Sequence, residues 1–202
     1  MLTKAEFARR LKNACLTVIA AEAELTEIDA KFGDADHGFT MAKVCNAIIA
    51  AIQDSEGGIQ TLLDDAAMAV MAINGGSAVP LWNTWLDGMQ EGAPEEEKVD
   101  IAGIQAIFAK AFEELDEMSG AKVGDKTMMD ALIPASEAIA AYEGDSEAEL
   151  FTLAAAAAAA GAENSKNFPS KFGRAKSYGA KTIGTPDAGA MSMSKFFEGL
   201  AK

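Results

Sequence analysis

From Phe7 to Ile28 the apolar residues recur at steps of four and three: Phe7, Leu11, Ala14, Val18, Ala21, Leu25 and Ile28. That spacing puts them on one stripe of an α-helix, whereas a strand would scatter them over both faces. Thr3-x-x-Glu6, just before the stripe, has the form of a capping box. The pattern therefore predicts a first helix running to about Asp29, and the same period governs the rest of the chain. Met41, Val44, Ile48 and Ile52 mark a second helix, stopped by Glu56-Gly57-Gly58. A third covers Ile59 to Ile73 and ends at Asn74-Gly75-Gly76. A fourth takes Pro80 in its first turn, where a missing N–H matters little, and carries Leu81, Trp82, Trp85 and Met89.

Beyond the charged linker Glu91 to Glu97, Asp100 is placed to cap a fifth helix with Ile101, Ile104, Phe108, Phe112 and Leu115 on its stripe. A sixth is expected from Lys126 or Thr127 to Tyr142, kinked at Pro134. Ser146-x-x-Glu149 opens a seventh that includes the alanine run Ala154 to Ala160, and an eighth spans Ala190 to Ala201. No strand pattern survives this assignment and no interior linker divides it. The expectation is an all-α fold in one domain, residues 1–202.

Net charge narrows the function classes. At −14 the chain carries the same sign as nucleic acid and anionic membranes, so neither is an expected partner. The first residues lack the pattern of a signal peptide, and no bulky apolar run is long enough to span a bilayer. Cys15 and Cys45 have no companion at metal or redox spacing and read as reduced packing residues of a cytoplasmic protein.

Short connections make consecutive helices alternate up and down, which gathers every second loop at one end. The four gathered loops are the glycine-rich ones: Gly33 to Thr40, Asn74 to Pro80, Ser119 to Thr127, and Asn164 to Gly189. The first belongs to a stretch in which Asp29, Asp34, Asp36 and the only histidine, His37, fall within nine residues. Three converging carboxylates repel unless a cation sits among them, which points to magnesium; the alternative is a solvated acidic loop. Gly75-Gly76-Ser77-Ala78 leads into a helix start, where exposed N–H groups favour anions. The last loop has no acid between Asn164 and Pro186 but carries Lys166, Lys171, Arg174, Lys176 and Lys181. A basic loop facing an acidic one suggests metal and phosphate together; a solubilising surface loop is the other reading.

With these loops assembled, the sequence resembles the L subunit of dihydroxyacetone kinases over its whole length. Asp29-x4-Asp34-Ala35-Asp36-His37-Gly38 is similar to the family's metal loop. Gly120-Ala121-Lys122-Val123-Gly124-Asp125-Lys126-Thr127-Met128 and Gly173-Arg174-Ala175 resemble its later motifs. So do Gly179, Ile183-Gly184 and Asp187-Ala188-Gly189-Ala190, and all stand in the family's order. The resemblance implies a closed barrel of about eight antiparallel helices with ADP or ATP and two magnesium ions at one end.

It further implies that Asp29, Asp34 and Asp36 hold Mg²⁺, and that His37, Gly38, Phe39, Thr40 and Met41 lie along the phosphates opposite Gly76, Ser77 and Ala78. Ser119, Gly120 and Met128 would line the nucleoside. Asp187, Ala188 and Gly189 would close the pocket, and Arg174 would clamp the transferring phosphoryl group as the catalytic residue. Triose would bind on a separate K subunit, and a phosphocarrier M subunit would recharge the nucleotide in the phosphotransferase-system form. An ATP-dependent kinase domain for a related ketose such as erythrulose, or a regulatory nucleotide-binding paralogue, is the alternative. The chain departs from the family's pattern at Thr40, usually Asn, at Ala78 and Val79, and at Pro186 and Ala188.

Overall fold

The computed structural model describes residues 1–202. Nine α-helices carry the chain: α1 (Lys4–Ala20), α2 (Glu22–Asp29), α3 (His37–Gln53), α4 (Ile59–Met71), α5 (Ala78–Gly92), α6 (Ile101–Ser119), α7 (Met129–Ala140), α8 (Glu147–Asn164) and α9 (Ala188–Leu200). Eight of them close a ring in which α1 packs on α3, each later helix packs on the next, and α9 returns to α1. The all-α expectation holds, and no helix is long and apolar enough to cross a membrane.

Local signals set most of the ends. Thr3 Oγ1, Asp100 Oδ1 and Ser146 Oγ accept the N–H groups of Glu6, Gly103 and Glu149, as helix-capping side chains do. The first predicted helix, by contrast, is broken at Ala21, and α2 leans onto α3 and α9. No breaker residue stands there. The cause is tertiary: Gly38, at the start of α3, lies so close to α2 that a Cβ would run into the Glu22 carbonyl and Thr26 Oγ1. Two-residue strands β1 (Leu2–Thr3) and β2 (Lys98–Val99) also pair antiparallel, too short to leave any alternation in the sequence. The expectation of no strand fails there.

Helix α7 runs through Pro134 in one piece. Proline has no N–H to offer the Asp130 carbonyl one turn back, and that carbonyl faces Gly161 of α8, where a Cβ would collide with it. Buried side chains from every α-helix form one contiguous core. Its centre is aromatic: Trp82 and Trp85 meet edge to face at 5.6 Å, and Phe196 packs on both at 5.2 and 5.4 Å. Cys15 and Cys45 are buried, free and adjacent. Hydrogen bonding between them, with burial, pushes the Cys15 thiol well above its usual range. They are packing residues.

Contacts sort the loops as topology requires. Segment 165–187 reaches the acidic loop through Arg174 and Asp34, and reaches segment 120–128 through Lys126. At the opposite end the Lys4 N–H donates to Glu97 O and the Ile59 N–H to Glu96 O.

Candidate functional site

Helix α2 delivers Asp29 at its C-terminus, and two main-chain bonds to the Asp29 carbonyl, from Phe32 (3.1 Å) and Gly33 (2.6 Å), turn the chain at once. Gly33 is needed there, because a Cβ would fall on the Asp29 carboxylate. Ala35 takes a left-handed backbone, φ 62°, an uncommon conformation for a residue with a side chain. The chain then enters α3 with the Asp36 and His37 N–H groups donating to Asp29 Oδ2 at 3.1 and 3.4 Å. Asp29 is thus tied to the start of the next helix, while Asp34 and Asp36 stay exposed.

These turns bring one carboxylate oxygen each from Asp29, Asp34 and Asp36 to within 4.8 Å of one another. The Asp36 carboxyl is pushed above its usual range by burial and by the charges of Asp34 and Asp29, with Arg174 opposing. A divalent cation would relieve that repulsion. Magnesium holds oxygen ligands at about 2.1 Å in an octahedron, so ligands across the ion lie about 4 Å apart. An all-oxygen set spread over 4.8 Å reaches that size by small side-chain rotations, so the donors fit the ion.

The basic segment folds over this cluster. Arg174 Nη2 lies 2.9 Å from Asp34 Oδ2, and Tyr178 packs on Phe32 with ring centroids 5.3 Å apart. His37 turns its ring the other way, toward α9, with Nε2 3.0 Å from Ser192 Oγ. The Ser192 hydroxyl also lies within hydrogen-bonding distance of Gly189 O, 2.9 Å away. Burial holds the His37 pKa below its ordinary value, opposed by Asp29 and the Ala188 carbonyl. The ring therefore ties the first turn of α3 to the start of α9.

The remaining candidates lie around the same end, with different exposures. Phe39 is exposed beneath the Lys43 ammonium, which is 4.3 Å from its ring centroid. Gly38, Thr40, Met41 and Met128 are buried, and Met41 belongs to the core. Gly76 and Ser77 are exposed at the start of α5, and a Cβ on Gly76 would meet nothing within 4 Å. Ala78 is the first residue of α5. Ser119 ends α6, with its hydroxyl accepting the Ala121 N–H, and Gly120 caps that helix with φ 63°. Asp187 caps α9 through a 2.8 Å bond from Ala190 N–H to its Oδ2. Burial raises the Asp187 carboxyl to about 7. Ala188 opens α9, and a Cβ on Gly189 would sit 3.0 Å from Asp187 Oδ2 and 3.3 Å from the Met128 nitrogen, a tight fit between α9 and the residue before α7.

Two of the positions that depart from the resembled family's pattern flank the same glycine. Beside Gly75, a Cβ would lie 2.6 Å from Val79 Cγ2 and 3.0 Å from Thr40 Cγ2. Thr40 and Val79 wedge the α4–α5 turn from two sides.

Sequence reasoning left Lys126, Asp130 and Ser192 without roles. Asp130 is fully buried and accepts the Gly124 and Thr127 N–H groups at 2.7 Å each. Lys126, at φ 61°, sends its ammonium into the 165–185 segment. Lys126 falls inside the motif block Gly120 to Met128 and Asp130 two residues beyond it, and both were visible as residues, without their tasks. Ser192 meets His37 from 155 positions away, and no local signal announces it.

Against known proteins, the family described as the DAK2 domain matches residues 31–202. The L-erythrulose 1-kinase of Mycolicibacterium smegmatis is 34% identical over 192 residues, which are 90% of this chain and 32% of that protein. The ADP-binding subunit DhaL of the PEP-dependent dihydroxyacetone kinase of Escherichia coli is 26% identical over 193 residues, covering 93% of this chain and 91% of the subunit. Among solved structures, the dihydroxyacetone kinase of C. freundii in complex with AMP-PNP and Mg²⁺ superposes with a TM-score of 0.71 at 25% identity. That match covers 98% of this chain and 33% of the other. The chain thus spans about a third of the length of the erythrulose kinases it matches.

Proposed function

Because the chain belongs to the DAK2 domain family, we propose that it is the nucleotide-holding part of a short-ketose kinase. In this reading it binds Mg-ADP or Mg-ATP at the loop end of the barrel and passes a phosphoryl group to dihydroxyacetone held on a separate K subunit. The observation that carries the proposal is the pairing of three carboxylates within 4.8 Å with a guanidinium 2.9 Å from one of them. Acids for a cation and a base for a phosphate are the two things a nucleotide diphosphate requires.

Asp29, Asp34 and Asp36 would hold magnesium, two ions in this reading, which supplies charge neutralisation for the phosphate oxygens. The N-termini of α3 and α5, with exposed Gly76 and Ser77 beside the latter, offer main-chain N–H groups to the phosphates. Ser119, Gly120 and Met128 would border the nucleoside, with Asp187, Ala188 and Gly189 closing over it. Arg174 is the residue we assign to the transferring phosphoryl group. It contacts Asp34 here and would exchange that carboxylate for phosphate oxygens once a cation neutralises the aspartates. His37, turned toward Ser192, acts by fixing the two helix starts and not as a proton carrier. Chemistry of this kind runs on positioning and charge, with no covalent enzyme intermediate.

The match to the E. coli ADP-binding subunit supports the phosphotransferase-system form, with a phosphocarrier M subunit as donor and a cytoplasmic setting. A second reading is favoured by identity: erythrulose kinases match at 33–35%, dihydroxyacetone kinases and their subunits at 26–27%. It makes the chain part of an ATP-dependent kinase acting on erythrulose.

Calorimetry with ADP, with and without Mg²⁺, tests the core of the proposal. We expect magnesium-dependent binding that Asp34→Asn abolishes and Arg174→Ala weakens; magnesium-independent binding would overturn it. Turnover with a K subunit, offering ATP or a phosphocarrier and either ketose, separates the two forms.

A further inference from the structure

Lys126 is a charged residue put to an unusual use. Its backbone sits in the left-handed region at φ 61°, and its side chain is 4% exposed. The ammonium lies within hydrogen-bonding reach of four main-chain carbonyls: Thr185 O at 2.5 Å, Thr182 O at 2.9 Å, Ser165 O at 3.0 Å and Phe168 O at 3.1 Å. No carboxylate makes an ion pair with it. Three N–H bonds shared among four converging carbonyls resemble the oxygen cage of a small monovalent cation more than a salt bridge.

The four carbonyls come from both limbs of one excursion of the chain, the segment between α8 and α9. Its apex carries Arg174. Further ties complete the segment: the Thr182 hydroxyl accepts the Ser170 N–H and donates to Gly179 O, and the Gly184 N–H donates to Lys166 O. Lys126 is itself held from behind, because buried Asp130 accepts the N–H groups of Gly124 and Thr127 on either side of it. A chain of fixed contacts therefore runs from α7 through Asp130 and Lys126 to the segment that bears Arg174.

We propose that Lys126 is a positioning residue for Arg174: a tethered internal cation around which residues 165–185 are wound, so that the guanidinium is presented to the aspartate cluster. The role assigned to Arg174 rests on the phosphoryl-transfer reading; the winding does not. Removing the ammonium would leave the Phe168 and Thr185 carbonyls without a donor, and the Ser165 and Thr182 carbonyls with only the turn bonds from the Phe168 and Thr185 N–H groups, at 3.2 and 3.3 Å.

Hydrogen exchange and limited trypsin digestion of the ligand-free protein test the winding. In Lys126→Met and Lys126→Gly, amides of 165–185 should exchange at least tenfold faster, and trypsin should cut at Lys171, Arg174 or Lys176. Amides of α5 and α6 should keep wild-type protection. Glycine suits the backbone at position 126 and leaves the cage open, so ammonium chloride, but not equal sodium chloride, should restore protection in Lys126→Gly. In turnover, Lys126→Gly should lose activity as Arg174→Ala does, and the double variant should lose little more than either single one. Unchanged exchange in 165–185 would overturn the proposal, as would an equal loss of protection throughout the core. Should the wild type fail to bind Mg-ADP, the phosphoryl-transfer reading falls, while the exchange result still decides whether Lys126 winds the segment.

Discussion

At one end of the barrel the chain is closed by its own backbone, and at the other by charged side chains. Where Lys4, Ile59 and Gln60 meet the 94–97 linker, N–H groups of one segment donate to carbonyls of the other at 2.8, 3.0 and 3.1 Å, and β1 pairs with β2 beside them. At the loop end most of the equivalent work falls to the side chains of Asp29, Asp130, Lys126, Lys171 and Arg174, beside one main-chain bond from the Lys171 N–H to Asp125 O. Backbone closure uses up the donors and acceptors it joins. Side-chain closure leaves helix starts uncovered and holds them with groups whose charge a ligand can answer. Two glycines illustrate the contrast, although Gly33 and Gly38 at the loop end are crowded too: a Cβ on Gly58 would strike the Glu95 carbonyl, whereas one on Gly76 would meet open space.

That division can be broken by substitution, beginning where the effect is greatest. Gly58→Val should lower stability by about 3 kcal/mol, since the clash is with main chain that cannot swing aside. Urea unfolding would measure it, and a loss under 1 kcal/mol would mean the closed end yields more than its contacts imply. Asp130→Ala removes the acceptor of two N–H groups and should lower stability by about 2 kcal/mol, with faster exchange confined to residues 120–128 and 165–185. Loss spread evenly over both ends would contradict the contrast.

A smaller effect concerns pH. Because the folded Asp187 carboxyl is raised to about 7, the native state holds its proton between about pH 4 and 7 while the unfolded chain gives it up. Stability from this group is fully present below the unfolded value and is lost as pH rises through 7. Asp187→Asn can still cap α9 and should flatten that slope in thermal scans from pH 4 to 8. A slope identical to wild type would place the proton elsewhere. Least of all, Gly76→Ala should move stability by less than about 0.5 kcal/mol. Any change in ADP affinity it brings would then belong to the exposed start of α5 and not to folding.

How much of this was written in the sequence depends on how far apart the partners stand. The helices were legible because their periods and caps are local, and Asp29, Asp34 and Asp36 were legible because one short turn gathers them. The break at Ala21 was not, since it answers to Gly38 on another helix. The task of Lys126 was not either: its carbonyl partners stand 39 to 59 residues away and have no side-chain identity to read. Arg174 came through its motif and through the acid-free run around it. Its approach to Asp34 is a tertiary fact.

The aromatic residues carry one more consequence. Both tryptophans are fully buried at the barrel's centre, while the two tyrosines stand apart from them: Tyr142 between α7 and α8 at the closed end, and Tyr178 on Phe32 beside the aspartates. The protein is thereby divided into optical compartments. Indole emission should be blue-shifted and poorly quenched by iodide, should stay level while magnesium and nucleotide are titrated, and should change only when the core comes apart. A fluorophore or fluorinated tyrosine at position 178 would watch the loop end with the tryptophans as a built-in reference, so occupancy and unfolding could be followed in one cuvette.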